Sequence, residues 1–146
     1  MSQTADRLAR ILATVPPRLV DISEDDAGRE PAPGRWSKKQ ILGHLIDSAS
    51  NNHQRFVRAQ LTANYAGPNY EQEQWVAAQS YAIESWPDLV NLWLLYNRHL
   101  LHIIRTMPEA PLAVPCVVGD NAPMPLSEVI SGYVDHMEHH LAQILG

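Results

Sequence analysis

Three of the chain's seven histidines fall within five residues near its C-terminal end, at His136, His139 and His140. A neutral imidazole is a ligand for zinc, nickel, copper or iron, and a proton carrier near neutral pH. On a helix, residues four apart stand one turn above the other, so His136 and His140 share a face. At about 100° per residue, His139 points nearly opposite the helix's apolar stripe, toward water. Val129, Ile130, Tyr133, Val134, Met137, Leu141 and Ile144 make one apolar stripe on the same helix, and His136 and His140 border it. Two imidazoles beside a buried face can share an ion, but a catalytic zinc usually takes three protein ligands and keeps one position open.

The element that must supply the third ligand opens at Trp36. Ser37 followed by Gln40 is a capping box, in which hydroxyl and amide side chains satisfy the orphan N–H groups of a helix start. Trp36 before the cap and Ile41 after the first turn suit a hydrophobic staple. The pattern predicts a long helix from Ser37 to about Leu61, with Leu42, Leu45, Ala49 and Phe56 facing inward. His44 lies at the border of that face, as His136 and His140 lie on theirs, and becomes the third candidate ligand. Asp47, three residues on, is placed to orient its ring.

The remaining chain reads as helices joined by loops. Residues 3–14 form an amphipathic helix that Pro16 and Pro17 must end or kink, since proline removes a donor and clashes with the preceding turn. A short helical piece from Pro17 to Ile22 and a loop over Ser23–Arg35 follow. Asn64–Tyr70 reads as a turn or loop and Glu71–Ser80 as a short helix carrying Trp75. Ser85, Trp86, Pro87 and Asp88 open a helix that continues through Leu89–Met107, apolar nearly all round and so buried or partly at an interface. Two short strands near Ala113–Val118 and Ala122–Met124 would form a hairpin before the last helix, which runs from Pro125 or Leu126 to Leu145. Four substantial helices, each with an apolar face, make an all-α four-helix bundle, a fold that builds metal sites from inward-facing side chains.

The 146 residues suit one domain spanning 1–146. A hydrophobic content of 45% argues against disorder. With 11 Lys and Arg against 16 Asp and Glu and no basic run beyond Lys38-Lys39, the chain shows no nucleic-acid footprint. No stretch is long and apolar enough for a membrane span, and Met1–Leu12 is not a signal peptide. The lone Cys116, flanked by Val114, Pro115, Val117 and Val118, fits a small buried residue in a reducing cytoplasm. His99 and His102, three apart on the apolar helix, read as rim residues, and His53 has no evident partner. Met137 directly after His136 excludes the zincin motif, which requires glutamate there.

The segment Trp36-Ser37-Lys38-Lys39-Gln40-Ile41-Leu42-Gly43-His44-Leu45-Ile46-Asp47-Ser48 resembles the W-S-x-x-x-x-x-x-H-L-x-D-S signature of DinB/YfiT-like metalloenzymes. The closing His136-Met137-Glu138-His139-His140-Leu141-Ala142-Gln143-Ile144 resembles that family's H-x-x-H-H-L-x-x-I ending. The resemblance implies a four-helix bundle holding a divalent ion, often nickel or zinc, on three histidines, which in this sequence are His44, His136 and His140. It also implies a homodimer and kinship with bacillithiol S-transferases and mycothiol-dependent maleylpyruvate isomerases. Gln143 stands where some members carry another histidine. The expectation is a metal-dependent enzyme that activates a low-molecular-weight thiol or water toward a small-molecule substrate. The alternative is a non-catalytic dimeric bundle that binds metal or a small ligand. From the ordinary imidazole pKa of about 6.5, metal affinity should fall as pH drops through roughly 6 to 5.

Overall fold

The structure is a computed structural model describing all residues 1–146. Four long helices carry the fold: α1 (Ser2–Val20), α3 (Lys38–Ala59), α5 (Trp86–Thr106) and α6 (Leu126–Leu145). Short helices α2 (Glu24–Gly28) and α4 (Gln72–Ala78) lie in the connections. Both α5 and α6 pack against α1 and against α3, so α1 faces α3 across a diagonal of the bundle. A continuous core of 31 buried apolar residues fills the centre, with Leu8 and Leu19 from α1, Phe56 from α3, Trp93 from α5 and Met137 from α6 all fully enclosed.

Each long helix follows from its sequence, with one correction. The Pro16-Pro17 pair lies inside α1 and does not end it. Each ring removes one helical donor, yet Pro17 faces solvent while Val15 and Leu19 on either side are buried. Burying such side chains stabilises by roughly 1.5–3 kcal/mol apiece, which offsets a proline interruption of about 3 kcal/mol. α3 begins with the expected capping box: Gln40 N–H donates to Ser37 Oγ at 3.3 Å, and Ser37 N–H donates to Gln40 Oε1 at 2.9 Å. α5 starts at Ser85, whose hydroxyl accepts from Asp88 N–H at 3.4 Å, with Pro87 in the first turn. Its outer face leaves Leu92 and Leu95 exposed, while Trp93 and Leu100 are enclosed.

Two connections differ from expectation. The Ser23–Arg35 segment, read as a loop, contains α2. Ser23 Oγ accepts from Asp26 N–H at 3.1 Å, and three acidic residues in its first turn favour the positive end of the helix. Glu24 of α2 then pairs with the buried Lys39 ammonium and accepts from Trp86 N–H at 3.1 Å, fixing the starts of α3 and α5 together. The Asn64–Tyr70 segment, also read as a loop, contributes strand β1 (Tyr65–Gly67). It pairs in parallel with β2 (Pro115–Val118), Tyr65 opposite Cys116 and Gly67 opposite Val118, and β2 pairs antiparallel with β3 (Met124–Pro125). The hairpin before the last helix is therefore present, enlarged to a three-stranded mixed sheet that caps the bundle beside α6. Cys116 is a buried, unpaired thiol in β2, its pKa pushed up by burial.

Candidate metal centre

α3 and α6 bring His44, His136 and His140 together. One nitrogen from each ring lies within 4.8 Å of the others, and the Nε2 atoms of His44 and His136 stand 3.0 Å apart. The ring centroids are separated by 4.9, 4.8 and 4.5 Å. Nitrogens bound at 2.0–2.1 Å to one ion sit about 3.3 Å apart in a tetrahedral arrangement, so a small ring adjustment at half-buried His140 would close the set. Two neutral imidazoles facing each other at 3.0 Å need a proton or a cation between their lone pairs. His44 is fully buried and Trp36 covers it, their ring centroids 5.2 Å apart.

The electrostatics favour ligation. Burial, reinforced by the neighbouring imidazoles, lowers the pKa of both His44 and His136 to about 4. Both rings are therefore neutral at physiological pH, as a ligand must be. Gln143 fixes the third ring. Its Oε1 lies 2.8 Å from His140 Nδ1, which donates and leaves Nε2 with a lone pair. The other end of the Gln143 amide reaches His139 Nε2 at 3.3 Å, and His139 is exposed as its helix position implied.

Asp47 does not bond His44 as expected. Its Oδ1 accepts from Tyr81 Oη at 2.7 Å and Gln79 Nε2 at 2.8 Å. Burial raises its pKa, against the lowering effect of those two bonds. The buried atoms His44 Nδ1 and Asp47 Oδ2 are both without a hydrogen-bond partner. Tyr81 is the residue the sequence concealed. A turn in which Ser80 takes a φ of 53° delivers its ring onto α3 at Gly43, where a β-carbon would meet ring carbons at 2.3 Å. The remaining histidines lie elsewhere: His53 Nδ1 is 2.8 Å from Tyr96 Oη and its ring is 5.3 Å from His99, while His99 and His102 stack on α5. Glu138 is engaged by Arg7 at 2.7 Å.

Cavities open on either side of the histidines. A cleft of about 260 Å³ has His136 in its wall with Ser48, Asn52, Tyr70 and Tyr133. A second of about 390 Å³ is walled by His140, Gln143, Trp36 and Arg35. A larger cavity, about 560 Å³, lies beyond Arg55 along α3 and touches none of the three rings.

Residues 7–144 match the family model of the DinB superfamily. A candidate metal-dependent hydrolase of Halalkalibacterium halodurans is 26% identical over 139 residues, covering 91% of this chain and 80% of its own. A similarly named protein of Bacillus mycoides is 26% identical over 111 residues, which are 76% of this chain and 64% of the relative's length. Among solved structures, YfiT from Bacillus subtilis, described as a probable metal-dependent hydrolase with an unusual four-helix bundle topology, superposes with a TM-score of 0.84 at 20% identity, covering 99% of this chain and 85% of its own. A mycothiol-dependent maleylpyruvate isomerase superposes with a TM-score of 0.79 at 13% identity, covering 98% of this chain but 60% of its own. The family model spans residues 7–144, nearly the whole chain, and the chain belongs to the DinB superfamily.

Proposed function

We propose that His44, His136 and His140 hold one divalent ion, zinc or nickel, and that the protein is a metal-dependent enzyme joining a low-molecular-weight thiol to a small acceptor. The convergence of three ring nitrogens within 4.8 Å carries the first half of this reading. Burial keeps two of them neutral, and the Gln143 contact aims the third. Three imidazoles leave coordination positions open, the mark of a catalytic rather than a structural site. A divalent ion there supplies Lewis acidity that makes a thiol or water a stronger nucleophile at neutral pH.

The chain's own residues favour transfer between two small molecules. Asp47 is buried with Oδ1 held by Tyr81 and Gln79, and Glu138 is exposed and paired with Arg7, so neither offers the site a free, solvent-facing carboxylate as a general base for water. A thiol, whose ordinary pKa is about 8.5, needs less help to ionise than water does. The histidines stand between two separate cavities, one entered past His136 and one past His140, which suits a donor on one side and an acceptor on the other. The lone buried Cys116 offers no competing nucleophile.

The test begins with metal analysis of protein purified without a His-tag, followed by turnover of a low-molecular-weight thiol with an electrophilic bimane. Turnover abolished by a chelator and by His136→Ala supports the proposal. Thiol-independent ester or amide hydrolysis would move the protein to the hydrolases its relatives are named for. Metal binding without any turnover would leave a metal-binding scaffold.

A further inference from the structure

Arg55 follows His44 by eleven residues on α3. That is about three helical turns and about 16 Å of rise, so the two side chains leave the helix on nearly the same bearing. Ser48 and Asn52 line the cleft between them. Arg55 is in the wall of the His136 cleft and also in that of the larger cavity beyond it. Nη1 approaches Asn52 Oδ1 at 3.4 Å and Nη2 approaches the Pro68 carbonyl at 3.5 Å, both at the long limit of a hydrogen bond. Five ion pairs join basic to acidic groups in this protein, and Arg55 belongs to none of them. Glu128, the one acidic residue lining the cleft, is exposed.

A guanidinium offers five N–H donors in a planar fork. Here it is half withdrawn from water, which lowers its pKa, and only two of those donors have even distant acceptors. A half-desolvated cation with no counter-ion and unused donors is an incomplete anion site. At the guanidinium the cleft suits a carboxylate, which carries one charge per group, better than a doubly charged phosphate. It is small, Val129 and Tyr133 give it an apolar side, and Glu128 adds negative charge. We infer that Arg55 anchors a carboxylate of the substrate bound in this cleft, at the end remote from the histidines. The substrate class is therefore an elongated small carboxylate whose reacting end extends past Asn52 and Ser48 toward His136. The inference rests on the metal-centre reading for the reacting end only; capture of the anion at Arg55 needs no ion.

The probe is sodium succinate, titrated at constant ionic strength against sodium chloride. Binding is followed by calorimetry and by the Arg55 Nε–H resonance. Saturable binding is expected, at least 10-fold weaker in Arg55→Gln and several-fold weaker in Arg55→Lys, which keeps the charge but loses the fork. Arg58→Gln, in the outer cavity only, should bind succinate as the unaltered protein does. Inorganic phosphate should bind more weakly than succinate. Arg55→Gln should keep any zinc-dependent rise in melting temperature that the unaltered protein shows, which separates the anion site from the metal reading. Absence of the zinc effect with succinate binding intact would remove the metal reading alone. Equal affinity in Arg55→Gln, a comparable loss in Arg58→Gln, tighter binding of phosphate, or no saturable binding would overturn the inference.

Discussion

His44 Nδ1 and Asp47 Oδ2 are two buried polar atoms without partners, three residues apart on one helix. An unsatisfied buried group costs about 1–3 kcal/mol, and pairing these two would relieve both. Such a bond would also hold the His44 proton on Nδ1 and direct Nε2 at an ion. Asp47→Ala should therefore lower zinc affinity about 10–100-fold, measured by competition with a chromophoric chelator, whereas unchanged affinity would leave Asp47 as an anchor for Tyr81 alone. Gln143→Leu removes the acceptor for His140 Nδ1 and should weaken zinc by a comparable factor. Protons act on the same rings. His44 and His136 have folded pKa values of about 4, below the unfolded value of 6.5. Between those values the unfolded chain binds protons that the folded chain does not, so apo stability should fall as pH drops from 6.5 toward 4 and be level above 6.5. Urea midpoints across that window, with a shallower slope in His136→Ala, check the sign. For these two ligands protons compete with an ion only near pH 4, lower than the free-imidazole range of 6 to 5. The sequence exposed the three histidines because helical spacing and apolar borders are linear signals. It concealed Tyr81 and Gln79 because their contact with Asp47 depends on a turn at Ser80 that no local pattern announces.

Helix starts were legible, and helix continuity was less so. Ser37-x-x-Gln40 and Ser85-Trp86-Pro87-Asp88 mark α3 and α5 through side chains that bond within a few residues. The same logic applied to Ser23-x-x-Asp26 would have found α2, but the Pro/Gly-rich run after it obscured the signal. Pro16-Pro17 misled in the other direction, because packing of Val15 and Leu19 outweighs a local preference. β1 had no local signature, since its parallel partner lies some fifty residues away in β2. The junction of α3 with the Tyr81 turn is the most demanding contact between elements. Gly43→Ala would put a methyl group 2.3 Å from the Tyr81 ring. It should destabilise the apo protein by about 1–3 kcal/mol through overpacking, read from urea denaturation. Because Tyr81 holds Asp47, the same variant should also bind zinc more weakly. An unchanged urea midpoint would mean the turn can retreat without loss.

Four apolar helix faces close the bundle without help from an ion, so the apo protein should be folded, with helical circular dichroism and a cooperative melt. An ion that binds only the native bundle adds RT ln(1 + [L]/Kd), about 2.7 kcal/mol at 100 times Kd. The melting temperature should rise with zinc or nickel at pH 7.5, should not rise in His140→Ala, and should rise as usual in His139→Ala. Loss of the effect in His139→Ala with retention in His140→Ala would reverse the helix-face assignment. The separation of the site's two halves has a kinetic consequence. His44 and His136 meet across a sequence separation of 92 residues, so the nitrogens converge only after α3 and α6 have docked. Ordering so long a loop is a late event, and an ion then has no complete site to stabilise in the transition state. Added zinc should slow unfolding roughly in proportion to its equilibrium effect and leave the refolding rate nearly unchanged. In a denaturant chevron, one arm would drop and the other would stay in place.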